Sequence, residues 1–166
     1  MNLKSIMNLE EDLDDQLENK KILNTRRVLY DNIQFRSKLE VACYKRLVIA
    51  GFTPLYEPHK FSLIEKLVLD RVQYFCPYKE KKLKKYGPYP RDLMGISYTP
   101  DFYILYKNIH IYFDTKGHPN DVYPLKKKMF LRKLEELAAE SDEYYMFFEP
   151  HNISQIQQSI NTILAL

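Results

Sequence analysis

The sequence predicts an α/β fold, and three observations carry that prediction. Aromatic and apolar residues alternate through the stretch Tyr103 to Phe113 as they do in two paired strands. Apolar residues recur at helical spacing on either side of it, over 37–51 and again over about 122–140. The run Tyr144-Tyr-Met-Phe-Phe148 then reads as one more buried strand, and a last helix follows it. The order is helix, strands, helix, strand, helix.

At 166 residues the chain is sized for one domain with a real core. A content of 45% hydrophobic and 14% aromatic residues excludes intrinsic disorder. No apolar run approaches the ~20 residues of a membrane helix, and the N-terminus lacks the basic-then-apolar order of a secretory signal. The expectation is a soluble, cytoplasmic protein with no membrane partner. Cys43 and Cys76 stand far apart and outside any CxxC spacing, so they read as buried free thiols rather than a disulfide or zinc framework. Residues 1–20 carry six acidic groups against Lys4 and Lys20, a net −4, so of a formal total of +3 the remainder carries +7.

Residues 1–24 form an acidic N-terminal extension whose Leu9, Leu13 and Leu17 follow helical spacing; residues 25–166 form the single domain. Arg27 to Arg36 alternates around Asp31-Asn32, which predicts a short hairpin. Ser37 as N-cap and Gly51 as terminator bound a helix that buries Leu39, Cys43, Leu47 and Ala50. Residues 54–64 read as a strand interrupted by Pro58. From Ser62 to Phe75 the apolar spacing matches a helix, although Leu67-Val-Leu and Val72-Gln-Tyr-Phe also suit strands. Residues 77–92 read as a basic loop, with Lys79, Lys81, Lys82, Lys84, Lys85 and Arg91 interleaved with Tyr78, Tyr86 and Tyr89. Such a loop fits either a solvated surface or a nucleic-acid contact, since ammonium groups displace counterions from phosphates and tyrosines stack on bases. The turn Gly117-His118-Pro119-Asn120 leads into a helix bearing Lys126, Lys127, Lys128, Arg132 and Lys133. Ser154 is the expected cap of the last helix, with Ile156, Ile160, Ile163 and Leu164 inward.

The chemistry concentrates between Tyr98 and Gly117. Asp101 enters the first strand of the central hairpin, and Asp114-Thr115-Lys116 ends the second. Successive side chains of a strand point to opposite faces, so Asp114 and Lys116 share a face while Thr115 turns away. Two hard carboxylates suit Mg²⁺ or Mn²⁺, and a lysine beside such an ion can orient or deprotonate one of its waters. The four histidines have no partner at ligand spacing, with His118 the nearest to this stretch, and no Gly-rich phosphate loop supports a nucleotide cofactor.

The pattern Pro100-Asp101, twelve residues, Asp114-Thr115-Lys116 resembles the PD-(D/E)xK nuclease superfamily. The resemblance spans roughly residues 27 to 150 and implies a restriction-endonuclease-like αβββαβ core, a mixed central sheet flanked by helices. It implies a Mg²⁺-dependent DNA endonuclease, with Mn²⁺ as substitute, in which Asp101 and Asp114 bind the metal with the Thr115 carbonyl and Lys116 positions the attacking water. Glu40 has two readings. Ser37-x-x-Glu40 is a capping box, whereas superfamily members often place a glutamate of this helix in the metal shell. Lys81, Lys82, Lys84, Lys85, Arg91, Lys126, Lys128 and Arg132 are the expected DNA contacts. Small members of the superfamily resemble phage Holliday-junction resolvases and transposon-end nucleases, which implies a phage or mobile-element enzyme acting as a homodimer on branched or duplex DNA. The alternative is a catalytically silent DNA-binding or assembly protein that kept the fold.

Overall fold

The computed structural model describes residues 27–80, 82–89, 92–117 and 122–166. The expected acidic extension over 1–24, together with Lys81, Arg91 and His118, lies outside the described residues. In chain order the elements are β1 (Val28–Tyr30), β2 (Ile33–Phe35), α1 (Lys38–Ile49), β3 (Leu55–Tyr56), β4 (Phe61–Ile64), β5 (Phe75–Glu80), β6 (Leu83–Pro88), β7 (Ile96–Tyr98), β8 (Phe102–Tyr106), β9 (Ile109–Phe113), α2 (Tyr123–Ser141), β10 (Tyr144–Phe148) and α3 (Ile153–Leu164). Among them no helix is long and apolar enough to cross a membrane.

The central sheet runs β10-β9-β8-β3, with β10 parallel to β9 and the other neighbours antiparallel, so it is mixed. Strand alternation sorts its side chains onto two faces. Phe102, Ile104, Ile111 and Phe113 pack on one side against Cys43 and Leu47 of α1 and Ile156, Ile160 and Ile163 of α3. Tyr112, with Tyr103, Tyr145 and Phe147, packs on the other against Phe130 and Leu134 of α2. Helices therefore cover both faces. Phe35, Phe102, Phe113 and Phe130 are fully buried, each contributing about 1.5–3 kcal/mol over an exposed ring.

Local signals place most of these elements. The Asp31-Asn32 turn has φ of 52° and 61°, the left-handed pair that a two-residue hairpin of this kind requires. The Ser37 hydroxyl accepts from the Glu40 amide at 3.2 Å, which starts α1. Gly51, at φ 87°, lets the chain leave it without a side-chain penalty.

The spacing over 62–75 leaves helix and strands both open, and the structure decides between them; four further expectations are corrected. Residues 62–75 hold no helix among the described residues: β4 pairs antiparallel with β7, and a bridge joins Leu67 to Leu93. The apolar residues that matched a helical stripe serve different surroundings, since Leu63 packs into the α2 cluster while Val68, Val72 and Phe75 stay exposed. The basic segment 77–92 is not a loop but a two-stranded ribbon, β5–β6, in unbroken register from Phe75↔Pro88 to Glu80↔Leu83. Each strand of a lone ribbon has an outward edge, so Pro77 and Pro88 are tolerated there. Asn152, not Ser154, caps α3, its side chain accepting from the Gln155 amide at 3.0 Å, and Leu164 is exposed while Ile156, Ile160 and Ile163 are buried. Cys43 is buried as expected, but Cys76, on the ribbon, is only half-buried.

Candidate functional site

The β8–β9 pairing sets Phe102 opposite Phe113, so the next residues outward, Asp101 and Asp114, leave the sheet at the same end. Backbone bonds fix them there: the Glu57 amide donates to the Asp101 carbonyl at 2.8 Å, the Asp114 amide to Phe148 at 3.0 Å, and the Lys116 amide to Pro150 at 3.1 Å. The last two continue the β9–β10 ladder past both strands. A rigid frame thus holds 114–116.

Both carboxylates are buried, Asp101 at 4% exposure and Asp114 at 1%, and buried charges need partners. One Asp101 oxygen accepts from the Thr115 amide at 2.7 Å and from its hydroxyl at 2.8 Å. The Thr115 side chain thus turns toward Asp101, not away as strand alternation predicts, because 114–116 lie beyond the end of β9. Asp114 accepts from the Lys116 ammonium at 2.7 Å on one oxygen and from the Tyr98 hydroxyl on the other. The Lys116 ammonium also lies 4.9 Å from the centre of the Tyr123 ring. Burial, and then the negative charge of Asp114, push the Asp101 carboxyl up to about 7, against the opposing pull of Lys116 and Thr115. Burial and Asp114 likewise raise the Tyr98 and Tyr123 hydroxyls, so both remain neutral donors at physiological pH.

Glu40 is buried at 5% exposure and fully engaged. One oxygen accepts from the Ser37 hydroxyl at 2.8 Å, the other from the Arg36 amide at 2.9 Å and the Tyr56 hydroxyl at 2.7 Å. Its local work is that of a helix cap, and it reaches Asp101 through its field, which adds to the rise of that carboxyl. Arg36 pairs with Glu57, and the charge of Asp101 also acts on it. Glu57 itself sits at φ 47°, a left-handed conformation costly for a residue with a side chain.

Among the described residues no three His, Cys, Asp or Glu side chains gather into a group that would hold a metal ion by themselves. What is gathered is a buried pair of hard carboxylates with one ammonium beside them, a net negative centre. Burial first, and the neighbouring Asp114 charge second, hold the Asp101 carboxyl above its ordinary range. This donor set fits Mg²⁺ or Mn²⁺ with backbone oxygen and water completing the shell.

The basic residues divide. Lys82 and Lys84 are exposed on the ribbon, while Lys85 pairs with Glu80 at 2.5 Å. On α2, Lys128 is exposed, the Lys126 ammonium reaches the Ser97 carbonyl at 3.3 Å, and Arg132 pairs with Glu136 at 3.1 Å. The described histidines sit away from the aspartates: His59 bonds Tyr112, His110 bonds Tyr103, and His151 faces Glu149. Sequence reasoning missed Tyr98, Tyr56, Tyr123 and Arg36. Tyr98 stands two residues before Pro100, the one signal that pointed to it; the other three come from segments whose approach only the tertiary fold decides.

A family model described as protein of unknown function (DUF1064) matches residues 20–141. No curated protein and no solved structure matches the chain.

Proposed function

The chain belongs to the DUF1064 family, whose description names no activity, and from the chain's own residues we propose that it is a Mg²⁺-dependent endonuclease that hydrolyses phosphodiester bonds in DNA. The observation that carries this reading is the meeting of Asp101, Asp114 and Lys116 where β8 and β9 leave the sheet. The mixed sheet with helices on both faces supports the finer reading of a restriction-endonuclease-like core.

In this reading Asp101 and Asp114, with the backbone carbonyl of Thr115, hold the cation, and Glu40 adds its field from the start of α1. The bound ion would lower the pKa of a water and offset the charge that develops on the phosphate. The Thr115 amide and hydroxyl fix the Asp101 carboxylate, and Tyr98 fixes that of Asp114, so neither must reorganise during the reaction. Lys116 leaves Asp114 to orient the water or to donate to the phosphate. An alkylammonium with a free-solution pKa of ~10.4 is a poor base at neutral pH, so its role is positioning. A homodimer presenting two such sites would make paired cuts.

The test is divalent-dependent nicking of plasmid, duplex and four-way-junction DNA by wild type and by Asp114→Asn and Lys116→Ala. Cleavage by wild type that both variants lose is the expected result. A second reading, a catalytically silent DNA-binding or assembly protein, is favoured by one observation: both oxygens of Asp114 already have protein partners. Metal-independent DNA binding with no cleavage of any substrate selects it.

A further inference from the structure

The β5–β6 ribbon differs from every other strand pair among the described residues. Its described residues belong to neither core cluster, and among the described residues no helix or other strand packs extensively on it. Leu83 and Tyr86 are 66% and 75% exposed. A two-stranded hairpin without a packed face is marginally stable in water, so what this one presents calls for an explanation.

Its two faces are unlike. Cross-strand register sorts Pro77, Tyr86, Lys79 and Lys84 onto one face, and Tyr78, Lys85, Glu80 and Leu83 onto the other. The second face is nearly self-sufficient: Lys85 pairs with Glu80, and the Tyr78 ring lies over Gly87. On the first face Lys79 and Lys84 stand directly opposite each other. Like charges in that position destabilise a hairpin, and among the described residues no carboxylate pairs with either. Lys82, at φ 72°, adds another ammonium at the tip. A polyanion would relieve the repulsion on that face and give Tyr86 a surface to pack against.

Dimensions narrow the partner. Two strands lie about 4.8 Å apart and six residues span about 20 Å, a width that the ~12 Å major groove of B-form DNA admits. The root of the ribbon is tied down. Below β5 and β6 the two connecting segments are joined by Tyr89 to Tyr74 at 2.7 Å and by reciprocal bonds between Leu67 and Leu93 at 2.9 and 3.0 Å, and then continue as the β4–β7 pair. At Gly95 a Cβ would lie 2.7 Å from the Ile64 carbonyl oxygen, so this close passage excludes a side chain. β7 ends at Tyr98, the residue that hydrogen-bonds Asp114. One interrupted ladder thus runs from the candidate site to the ribbon tip.

We infer that the β5–β6 ribbon is an arm that enters the major groove of duplex DNA, with Lys79, Lys82 and Lys84 on phosphates and Tyr86 against base edges. The inference deepens the nuclease reading by naming the duplex as the partner. The charges argue against self-association, because a second copy would bring two more lysines to the same face.

The experiment measures binding of the full chain to a labelled duplex and to a single strand of the same sequence, by fluorescence anisotropy in EDTA across a salt series. Lys79→Gln/Lys84→Gln is expected to lower duplex affinity and to reduce the slope of log K against log salt by about 2, one unit per phosphate contact. Tyr86→Ala is expected to weaken duplex binding with the slope unchanged. Both variants should keep the wild-type thermal midpoint, which separates lost contact from lost folding. An unchanged slope in the double variant, or equal affinity for single strand and duplex, overturns the inference. A change in dimerisation by sedimentation with DNA binding intact also overturns it and makes the ribbon an assembly arm. If the double variant loses duplex binding as expected but wild type cleaves nothing with Mg²⁺, the nuclease reading falls and the arm stands. If cleavage persists undiminished in that variant, the arm falls and the nuclease reading stands.

Discussion

The end of the central sheet and the β5–β6 ribbon both concentrate charge, and they manage it in opposite ways. At the sheet end two carboxylates are almost entirely buried, and Tyr98, Thr115 and Lys116 answer their oxygens at fixed distances. On the ribbon Lys79 and Lys84 face water and each other. Buried charge is tolerated only with partners in a set geometry, whereas exposed charge needs none and is screened by salt. The first region therefore specifies position, and the second specifies sign.

Four measurements sharpen or break this contrast. The largest effect is on the frame. Phe130→Ala should cost about 3–5 kcal/mol in denaturant unfolding, because the fully buried ring stacks on Tyr98, the hydrogen-bond donor to Asp114, while Tyr86→Ala on the ribbon should stay within about 0.5 kcal/mol. Equal losses would show that the ribbon is part of the core. Next, Lys116→Ala should lower divalent-dependent cleavage by about 10²- to 10³-fold, or roughly 3–4 kcal/mol, as removal of a preorganised charge at a reacting centre does. Lys82→Ala should leave the rate at saturating DNA nearly unchanged.

The third concerns pH. The Asp101 carboxyl titrates near 7 in the folded chain against 3.8 for a free aspartate. Between these values the folded state binds the proton that the unfolded state has released. Stability without divalent ion should therefore be greatest below about pH 4 as far as this group is concerned, and should fall as pH rises toward 7. Asp101→Asn should flatten that slope in thermal melts taken at several pH values, and no ribbon substitution should. The smallest effect is Ser37→Ala, which removes the cap of α1 and a donor to Glu40 and should cost about 1 kcal/mol. A cost well above that would mean that Glu40 matters to the site more than to the helix.

The same contrast explains what could be read from the chain. Strand alternation at Tyr103 to Phe113 and the caps at Ser37 and Gly51 are local, so the sheet, α1 and the meeting of Asp101 with Asp114 were legible. The ribbon was not, because Pro77, Gly87, Pro88 and five lysines are the composition of a loop, and only the pairing of distant residues reveals strands there. The partners of Glu40 were half legible: Ser37 follows from the capping box, but Tyr56 arrives from a strand in another part of the chain. The tyrosines around Asp114 carried no spacing signal beyond Tyr98, since buried hydroxyls are recruited by the fold rather than by a motif.

The tight β8–β9 turn has a consequence for how this chain can change length. Lys107 and Asn108 form it with φ of 48° and 64°, and every residue of β8 faces a fixed counterpart on β9. One inserted residue in either strand would exchange inner and outer rings along it and swing its terminal aspartate to the wrong side. A pair inserted at the turn, one on each strand, would disturb neither. Spacing between the two aspartates should therefore vary among relatives in even steps, and odd-length insertions engineered there should give protein that does not fold.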